Sequence, residues 1–394
     1  MNIVKDRFEN GELIIALSGQ IDSANSAEVG QQMKDACDRY PDVPVVIDCS
    51  ALEYISSAGL RLITHLKKQH KELRIEEVSR DIYDIFEVTG FTKMIDIRKA
   101  MRRVSVEGLD VIGRGGNGTV YRLDRDTIIK AYTERTPLSD IQRERNYAQE
   151  AFTHGVPTAI SYDIVRCGES YGTVFELIAA DTLSRRLLAE PEKLGVYAER
   201  YGEFLKEVHS VEIEGVTLPT TKSIYFGWID EMAGYYTVEE VDKLRRLVDW
   251  LPDRQNVIHG DYHVNNVMLQ NDEFLLIDME TISVGHPLFD LGGMYISHIM
   301  TGQAAPELTV RFLGIDAQMA AALWNRFIQV YLGTTDPDQI KAVEGQAAVI
   351  ALLKGALGPA VSKNEAGNAQ MCVTIARQRL LPMIDDFIKR SPVI

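Results

Sequence analysis

Polar side chains that could do chemistry are concentrated in the segment VIHGDYHVNNVML, between apolar flanks. Asp261 and Asn266 lie five residues apart in it, and Asp278 follows at the end of the apolar run FLLIDME. A carboxylate can accept the proton of an attacking hydroxyl, and carboxylate and amide oxygens are hard ligands that suit Mg²⁺. The spacing of His259, Asp261 and His263 leaves a zinc site open as an alternative, which the ensuing polar loop and the lack of a cysteine cluster disfavour.

A second group of candidates lies in the glycine-rich segment VIGRGGNGTVYRLDRDTIIKAY. Glycines permit a tight turn between two strands and let backbone N–H groups approach phosphate oxygens. A strand follows the glycines, which disfavours a dinucleotide site, where a helix follows. A plain glycine-rich hairpin is the structural alternative, but a lysine inside the next strand favours a phosphate-binding role. The residues predicted to bind nucleotide here are Gly113, Gly115, Gly116, Gly118, Val120 and Lys130.

The helix predicted for SDIQRERNYAQEAFTHG carries an acidic residue beside its apolar face. Glu144 precedes Ala148 by one turn, so it adjoins that face. An acidic side chain there can pair with Lys130 and hold it over nucleotide phosphates. Glu150 is the competing candidate, and a surface pairing of Glu144 with a neighbouring arginine is the structural alternative.

Two blocks of secondary structure must position these groups. Residues 1 to about 102 alternate strands and helices, which predicts an α/β sandwich. From residue 107 the pattern is rich in strands, and after the strand GTVFELI it is helical to the end of the sequence. Backbone groups of Glu176 and Ile178, at this hinge, are predicted to bind an adenine edge. The segment NVMLQNDEFLLID predicts a hairpin that delivers Asp278 to the loop.

Composition limits the classes of function. The net charge of −15 and the absence of a basic tract argue against nucleic acid or an anionic membrane as the main partner. The four cysteines have no CxxC spacing, which indicates reduced thiols and a cytoplasmic location. The first residues lack a signal-peptide pattern, and the apolar run QAAVIALLKGALGPAV is short and contains Lys354, so we expect a core helix rather than a membrane span.

Three separated strings of the first block, LSGQIDSANS, IDCSALEYISSAGLRLI and IFEVTGFTKMIDI, resemble the STAS domain of anti-sigma-factor antagonists. The resemblance implies a module that binds an anti-sigma-factor-like or other protein. It also implies a phospho-acceptor serine at Ser57, although Ser56 replaces the aspartate that often precedes it. The alternative is that Ser57 is simply the N-cap of a helix.

The string HGDYHVNNVML, followed by LLIDMETISVGHPLFDLG, closely resembles the aminoglycoside phosphotransferase and choline kinase family, which has the protein-kinase fold. The resemblance implies that Asp261 is the catalytic base, that Asn266 and Asp278 bind Mg²⁺, and that Asp290 braces the loop. His259 is expected to hold the loop by hydrogen bonds. The acceptor pocket is expected in the C-terminal hundred residues, where the resemblance is weakest.

We therefore predict an α/β plus α+β architecture: a STAS sandwich (residues 1–104) and a bilobal protein-kinase-like phosphotransferase with an N-lobe (105–179) and a helical C-lobe (180–394). The predicted function is ATP- and Mg²⁺-dependent phosphorylation of a hydroxyl on a small molecule, with the STAS domain in regulation or docking. One alternative is a protein kinase acting on its own or a partner's STAS domain. The other is a non-catalytic, nucleotide-binding scaffold.

Overall fold

The computed structural model describes residues 3–9, 11–115, 118–215, 218–362 and 368–394. The chain forms two compact units, Met1–Ser105 and Val106–Ile394. The division falls one residue after the predicted end of the STAS sandwich. All four cysteines are free thiols.

The first unit is a five-stranded sheet flanked by three helices, in the order β1 Val4–Glu9, β2 Glu12–Ile21, α1 Ser26–Arg39, β3 Val45–Ile55, α2 Ser57–Gln69, β4 Leu73–Val78, α3 Arg80–Val88 and β5 Asp96–Lys99. The sheet order is β1-β2-β3-β4-β5. Strand β1 pairs with β2 in antiparallel fashion, and the remaining pairs are parallel. Crossovers between parallel strands need a long connection, which the helices provide.

The core of this unit follows from strand and helix periodicity. In β2, Leu13, Ile15 and Leu17 are buried at alternate positions, as expected for a strand whose side chains point to opposite faces. The beginning of β3 has three consecutive buried residues, Val45 to Ile47. Val45 and Ile47 belong to the core, whereas Val46 lies on the other face between the half-buried Ile14 and Arg74 of the neighbouring strands. This unit has the predicted α/β layers.

Two adjacent serines start helix α2, and they differ in role. Ser56 is the N-cap, and its side chain accepts a hydrogen bond from the Gly59 N–H at 3.4 Å. Ser57 is the first helical residue and is exposed. The interpretation of Ser57 as the cap is therefore wrong, because the preceding serine already performs that function.

The second unit begins with an antiparallel sheet and one helix: β6 Val111–Gly115, β7 Gly118–Arg122, β8 Thr127–Tyr132, α4 Leu138–Thr153, β9 Ser161–Cys167 and β10 Ser170–Glu176. The sheet order is β6-β7-β8-β10-β9. Strands β6 and β7 form the predicted glycine-rich hairpin, with Gly115 opposite Gly118.

The rest of this unit is mainly helical, with short strands around residues 261–266, which we name the catalytic segment after its predicted role. Its elements are β11 Asp181–Thr182, α5 Leu183–Ala189, α6 Leu194–Ser210, α7 Thr221–Met232, α8 Val238–Asp249, β12 Asn256–Ile258, β13 Val267–Gln270, β14 Glu273–Leu276, β15 Ser283–Gly285, α9 Leu288–Tyr295, a π-helical turn Ile296–Met300, α10 Thr301–Ala304, α11 Pro306–Leu313, α12 Ala317–Leu332, α13 Pro337–Ala356, α14 Gly358–Ser362, α15 Ala369–Arg379 and α16 Ile384–Phe387. The C-terminal half of helix α13 is mostly apolar, and the helix packs on α9, with Ile350 and Leu353 fully buried. In the parts of the chain that the structure describes, every helix is too short or too polar to span a bilayer.

The predicted hairpin before Asp278 is present as β13 and β14. Its turn residues, Asn271 and Asp272, have φ values of 47° and 65°. Two residues with positive φ match the twist of a two-residue hairpin, and asparagine and aspartate tolerate this conformation. The hairpin thus forms without the glycine that usually occupies one of these positions.

Candidate active site

The glycines of the β6–β7 hairpin are not equivalent. A Cβ atom at Gly118 would lie 2.3 Å from the Ala131 carbonyl oxygen, so close backbone approach requires glycine there. A Cβ atom at Gly113 would have its nearest neighbour 3.7 Å away, on Val120, which is ordinary contact. Internal packing therefore does not explain Gly113. Gly116 lies outside the described residues.

Lys130 is the centre of a charged cluster between the sheet and the catalytic segment. Its Nζ lies 2.8 Å from Glu144 Oε1 on α4 and 3.5 Å from Asp278 Oδ1. Of the two candidate glutamates on α4, Glu144 is the one that contacts Lys130, whereas Glu150 lies beside His154. Desolvation acts to lower the pKa of Lys130, but the carboxylates of Asp278 and Glu144 raise it above its ordinary value. The lysine is therefore held as a cation.

Tyr132 completes this cluster and was missed in the sequence. Its hydroxyl donates to Glu144 Oε2 at 3.0 Å, so Glu144 is held through both of its oxygens. Glu144 is only 8% exposed, and a buried carboxylate needs such partners. The available signal was the spacing of Lys130 and Tyr132, because residues i and i+2 of a strand share one face.

The hinge after β10 has a defined hydrogen-bond pattern. The Glu176 N–H donates to the Ile160 carbonyl at 3.0 Å, and the Glu176 carboxylate accepts from the Ile160 N–H at 2.8 Å. The Ile178 carbonyl accepts from the Ala180 N–H at 2.8 Å. These bonds fix the backbone and engage the Glu176 N–H and the Ile178 carbonyl. The prediction of an adenine contact is therefore narrowed to the Glu176 carbonyl and the Ile178 N–H.

Asp290 organises the turn before the catalytic segment. Its two carboxylate oxygens accept from the backbone N–H groups of His259 at 2.8 Å and Gly260 at 2.7 Å. The Asp290 carboxyl is buried, which acts to raise its pKa, but the hydrogen bond with His209 at 3.0 Å helps hold the pKa below its ordinary value. Gly260 has φ of 81°, and a Cβ there would lie 2.6 Å from the Thr281 carbonyl oxygen. The turn therefore requires glycine on both conformational and steric grounds.

Asp261 follows this turn, with its side chain 44% exposed. His263 Nδ1 accepts from the Asn265 N–H at 3.2 Å, so His263 Nε2 carries the proton and points it at Asp261 Oδ2, 3.3 Å away. Burial acts to raise the pKa of Asp261, but the hydrogen bond from His263 and the charge of Lys354 hold it well below its usual range. The carboxylate is thus ionised and accessible.

Asn266 and Asp278 present oxygen atoms suited to a magnesium ion. Asn266 Nδ2 donates to the Asp261 carbonyl at 2.9 Å, which fixes the amide so that its Oδ1 is left to act as a ligand. The backbones of the two segments are joined by the Ile277 N–H, which donates to the Asn266 carbonyl at 3.0 Å. Asp278 has a left-handed backbone with φ of 62°, a state that is uncommon for residues other than glycine and is concentrated at functional sites. The donor set therefore fits Mg²⁺.

The zinc alternative does not fit this geometry. His259 Nδ1 accepts from the Asp261 N–H at 3.2 Å, and its Nε2 donates to the Ile277 carbonyl at 3.2 Å. Both ring nitrogens are therefore engaged with the backbone, and His259 has no lone pair left for a metal. This histidine ties the catalytic segment to the residue before Asp278.

Sequence reasoning also missed residues that reach the catalytic turn from distant helices. Lys354 Nζ on α13 donates to the Gly260 carbonyl at 2.8 Å. His209 on α6 joins Asp290 to the Tyr331 hydroxyl, which lies 2.7 Å from its Nδ1. For Lys354 the signal was a single charge in an apolar run, whereas His209 and Tyr331 have no local pattern that marks them.

Comparison with known proteins identifies both units. The phosphotransferase enzyme family model matches residues 110–324, and the STAS domain model matches residues 4–103. A putative anti-sigma factor antagonist, BtrV of Bordetella bronchiseptica, is 31% identical over 101 residues, which are 25% of this chain and 85% of that protein. The first unit is a STAS domain, as predicted.

Two solved structures resemble the larger part of the chain. A choline/ethanolamine kinase family protein from Mesorhizobium loti is 17% identical, with a TM-score of 0.46 over 72% of this chain and 93% of that one. The streptomycin–ATP–APH(2″)-IIa ternary complex is 13% identical, with a TM-score of 0.49 over 71% of this chain and 93% of that one. At such values the function of the present chain must be argued from its own residues.

The family model covers more than half of the chain, and its match includes the glycine-rich hairpin, Lys130, the catalytic segment and Asp290. The predicted fold class, a STAS domain followed by a kinase-like phosphotransferase, is confirmed. The chain belongs to the phosphotransferase enzyme family and has a STAS domain at residues 4–103.

Proposed function

We propose that the protein transfers the γ-phosphoryl group of ATP to a hydroxyl of a small molecule. The observation that carries this proposal is the position of Lys130 between the carboxylates of Glu144 and Asp278. This contact joins the strand-rich lobe, which has the phosphate-binding pattern, to the segment that supplies the metal ligands. Such a lysine–glutamate pair beside a metal-binding aspartate is the arrangement that positions nucleotide phosphates in kinases.

The nucleotide is proposed to lie against the β6–β7 hairpin and the hinge. Backbone near Gly113 and Gly115 would approach the phosphates, and Val120, which pairs with Lys130 in the sheet, would cover one side of the nucleotide. At the hinge the Glu176 carbonyl would accept from the adenine amino group, and the Ile178 N–H would donate to the ring.

The proposed transfer is direct, without a covalent intermediate on the protein. The acceptor oxygen forms a bond to the γ-phosphorus while the bond from that phosphorus to the bridging oxygen breaks, and ADP leaves with the electron pair. Asp261 takes the hydroxyl proton and releases it to solvent. Asn266 and Asp278 would hold Mg²⁺, whose chemistry is to neutralise charge on the phosphates. Most of the rate enhancement would then come from positioning.

A small molecule is favoured as acceptor because the chain lacks the A-P-E element of protein kinases and has H-G-D in place of H-R-D. The STAS domain is proposed to bind an anti-sigma-factor-like or other protein and so to regulate or localise the enzyme. One observation keeps a protein acceptor as a second candidate: Ser57 is exposed, and Ser56 takes over the capping role. Ser57 therefore remains a proposed phospho-acceptor.

The test is phosphoryl transfer from γ-labelled ATP to a broad set of hydroxyl compounds, with and without Mg²⁺. We expect transfer that requires Mg²⁺ and is lost in Asp278→Ala but retained in Asp249→Ala, an exposed aspartate at the end of α8. Nucleotide binding without turnover on any compound would instead favour the non-catalytic scaffold. Label on the protein itself, at Ser57, would favour the protein acceptor.

A further inference from the structure

Lys354 is a charged residue in an otherwise apolar part of α13. The run from Val349 to Leu357 contains no other charged side chain. The lysine is half-buried, and its ammonium lies against the Gly260 carbonyl at 2.8 Å. Removing a charge from water is costly unless the charge has partners, so this position calls for an explanation.

The two lysines of the site differ in how far they are neutralised. Lys130 has two carboxylate partners, Glu144 and Asp278. In the described ranges Lys354 has no carboxylate within ion-pair distance, although its charge acts on Asp261 from farther away. Its hydrogen bond to Gly260 uses one of three ammonium N–H groups. It therefore keeps both positive charge and hydrogen-bonding capacity for a further partner.

The surroundings of Lys354 place that capacity beside the reacting centre. Gly260 immediately precedes Asp261, whose side chain is 44% exposed. On the other side, a Cβ at Gly293 would lie 3.2 Å from the ammonium nitrogen, tighter than most contacts of this kind. Glycine at that position lets the ammonium pack close to the backbone of α9. An acceptor whose hydroxyl reaches Asp261 would bring its neighbouring substituents close to Lys354.

We propose that Lys354 binds an anionic group of the acceptor, a carboxylate or a phosphate close to the reacting hydroxyl. The acceptor class is thus short hydroxy acids or phosphorylated alcohols. This inference rests on the proposed phosphotransferase function and specifies its substrate.

The charge balance of the site supports an anionic acceptor. Asp261, Asp278 and Glu280 are acidic, and the whole chain carries −15. An anion would be repelled on approach unless a local cation offsets that field. For a cationic amino alcohol the same field is already attractive, and an unneutralised lysine beside Asp261 would only weaken binding.

The experiment compares acceptors that share a carbon skeleton and differ in charge. One series is glycerol, glycerate and glycerol 3-phosphate, and a second is ethanolamine and serine. Both are tested within a wider panel of hydroxy acids, sugar phosphates, polyols and amino alcohols. Phosphoryl transfer is measured at fixed Mg-ATP. We expect the best acceptors to be anionic, with kcat/KM at least tenfold above their uncharged or cationic counterparts. If carboxylates have the higher kcat/KM, the anionic group that Lys354 binds is a carboxylate, and if phosphorylated acceptors do, it is a phosphate.

The variant Lys354→Gln is then compared with Lys341→Gln, an exposed lysine on the same helix. We expect Lys354→Gln to raise the KM of the anionic acceptor tenfold or more, to leave the KM of ATP unchanged and to abolish the preference for anions. Lys354→Arg should restore part of the preference, and Lys341→Gln should behave as wild type.

The possible failures are distinguishable. Transfer to neutral or cationic acceptors in preference to anions would overturn the inference and leave the proposed function standing. An equal loss with every acceptor in Lys354→Gln would also overturn it, because it would show that the lysine only supports the Gly260 turn. No transfer to any compound would overturn the proposed function, and this inference with it.

Discussion

The two sides of the site, proposed to bind the nucleotide and the acceptor, are built in different ways. On the nucleotide side, the key pair of Lys130 and Glu144 is separated by 14 residues. On the acceptor side, Lys354 and Gly260 are 94 residues apart, and His209 and Asp290 are 81 apart. Apart from the contact of Lys130 with the distant Asp278, the first side is a local structure with a recognisable pattern. The second is assembled by the packing of distant helices, which is where substrate specificity can vary without altering the chemistry of ATP.

The largest expected effect separates chemistry from nucleotide binding. In Asp261→Asn, transfer should fall by about 10²–10⁴-fold, because the group that accepts the hydroxyl proton is removed. ATP affinity by calorimetry should stay close to wild type, since the proposed nucleotide contacts lie elsewhere. Asp249→Asn, the same change at an exposed position, is the control. Near-normal turnover of any confirmed acceptor by Asp261→Asn would contradict the assignment of the base.

The next effect concerns the nucleotide side alone. In Glu144→Gln, Lys130 loses a carboxylate partner, and kcat/KM for ATP should fall roughly 10- to 100-fold, about 1.4–2.8 kcal/mol. Glu150→Gln is a matched control on the same helix, because its carboxylate lies beside His154. Steady-state kinetics with ATP as the varied substrate checks this. If both variants lost activity equally, the contact with Lys130 would not be the reason.

Acid stability should report on the helical part of the second unit, where His298 is buried in the turn Ile296–Met300. Burial, the main cause, lowers the pKa of His298 to about 4, and the unfolded value is about 6.5. Below pH 6.5 the unfolded chain binds a proton at this histidine that the folded protein does not. His298 should therefore lower the free energy of unfolding by about 2 kcal/mol between pH 7 and pH 5, and its own contribution should level off below pH 4.

Urea unfolding across this pH range, followed by tryptophan fluorescence, measures the slope. His298→Asn should make the slope shallower, whereas His154→Asn, an exposed site after α4, should leave it unchanged. All three tryptophans belong to the second unit, so the signal reports on that unit. An unchanged slope in His298→Asn would assign the acid sensitivity to other groups, such as the buried His286, whose pKa burial also lowers to about 4.

The smallest effect distinguishes two glycines of the nucleotide hairpin. Gly118→Ala should cost about 1–3 kcal/mol in stability, because the new methyl group meets the Ala131 carbonyl at 2.3 Å. Gly113→Ala has room in the fold, so its melting temperature should stay near wild type while its ATP affinity falls a few-fold. Thermal melts and nucleotide titrations of the two variants check this. Equal destabilisation by both would remove the argument that Gly113 serves a ligand.

The same contrast determines how much of the molecule is predictable from the sequence. Motifs such as the glycine-rich hairpin and H-G-D-x-H-x-x-N are local, and their residues are neighbours along the chain, so both domains and the main candidates are recognisable. The cap of α2 is not, because Ser56 and Ser57 are chemically identical and only backbone geometry decides between them. Lys354 stands out as a charge in an apolar run, but its contact with Gly260 depends on how α13 packs against α9.

The link between Glu144 and Lys130 has a thermodynamic consequence. It connects α4 to β8 through a contact of 2.8 Å that a small displacement of the helix would break. If nucleotide binding needs this contact, then any ligand that holds α4 in place must raise ATP affinity. By linkage, ATP must raise the affinity of that ligand by the same factor. In that case α4 would couple the binding of such a ligand to the binding of the nucleotide, although the two ligands are not in contact.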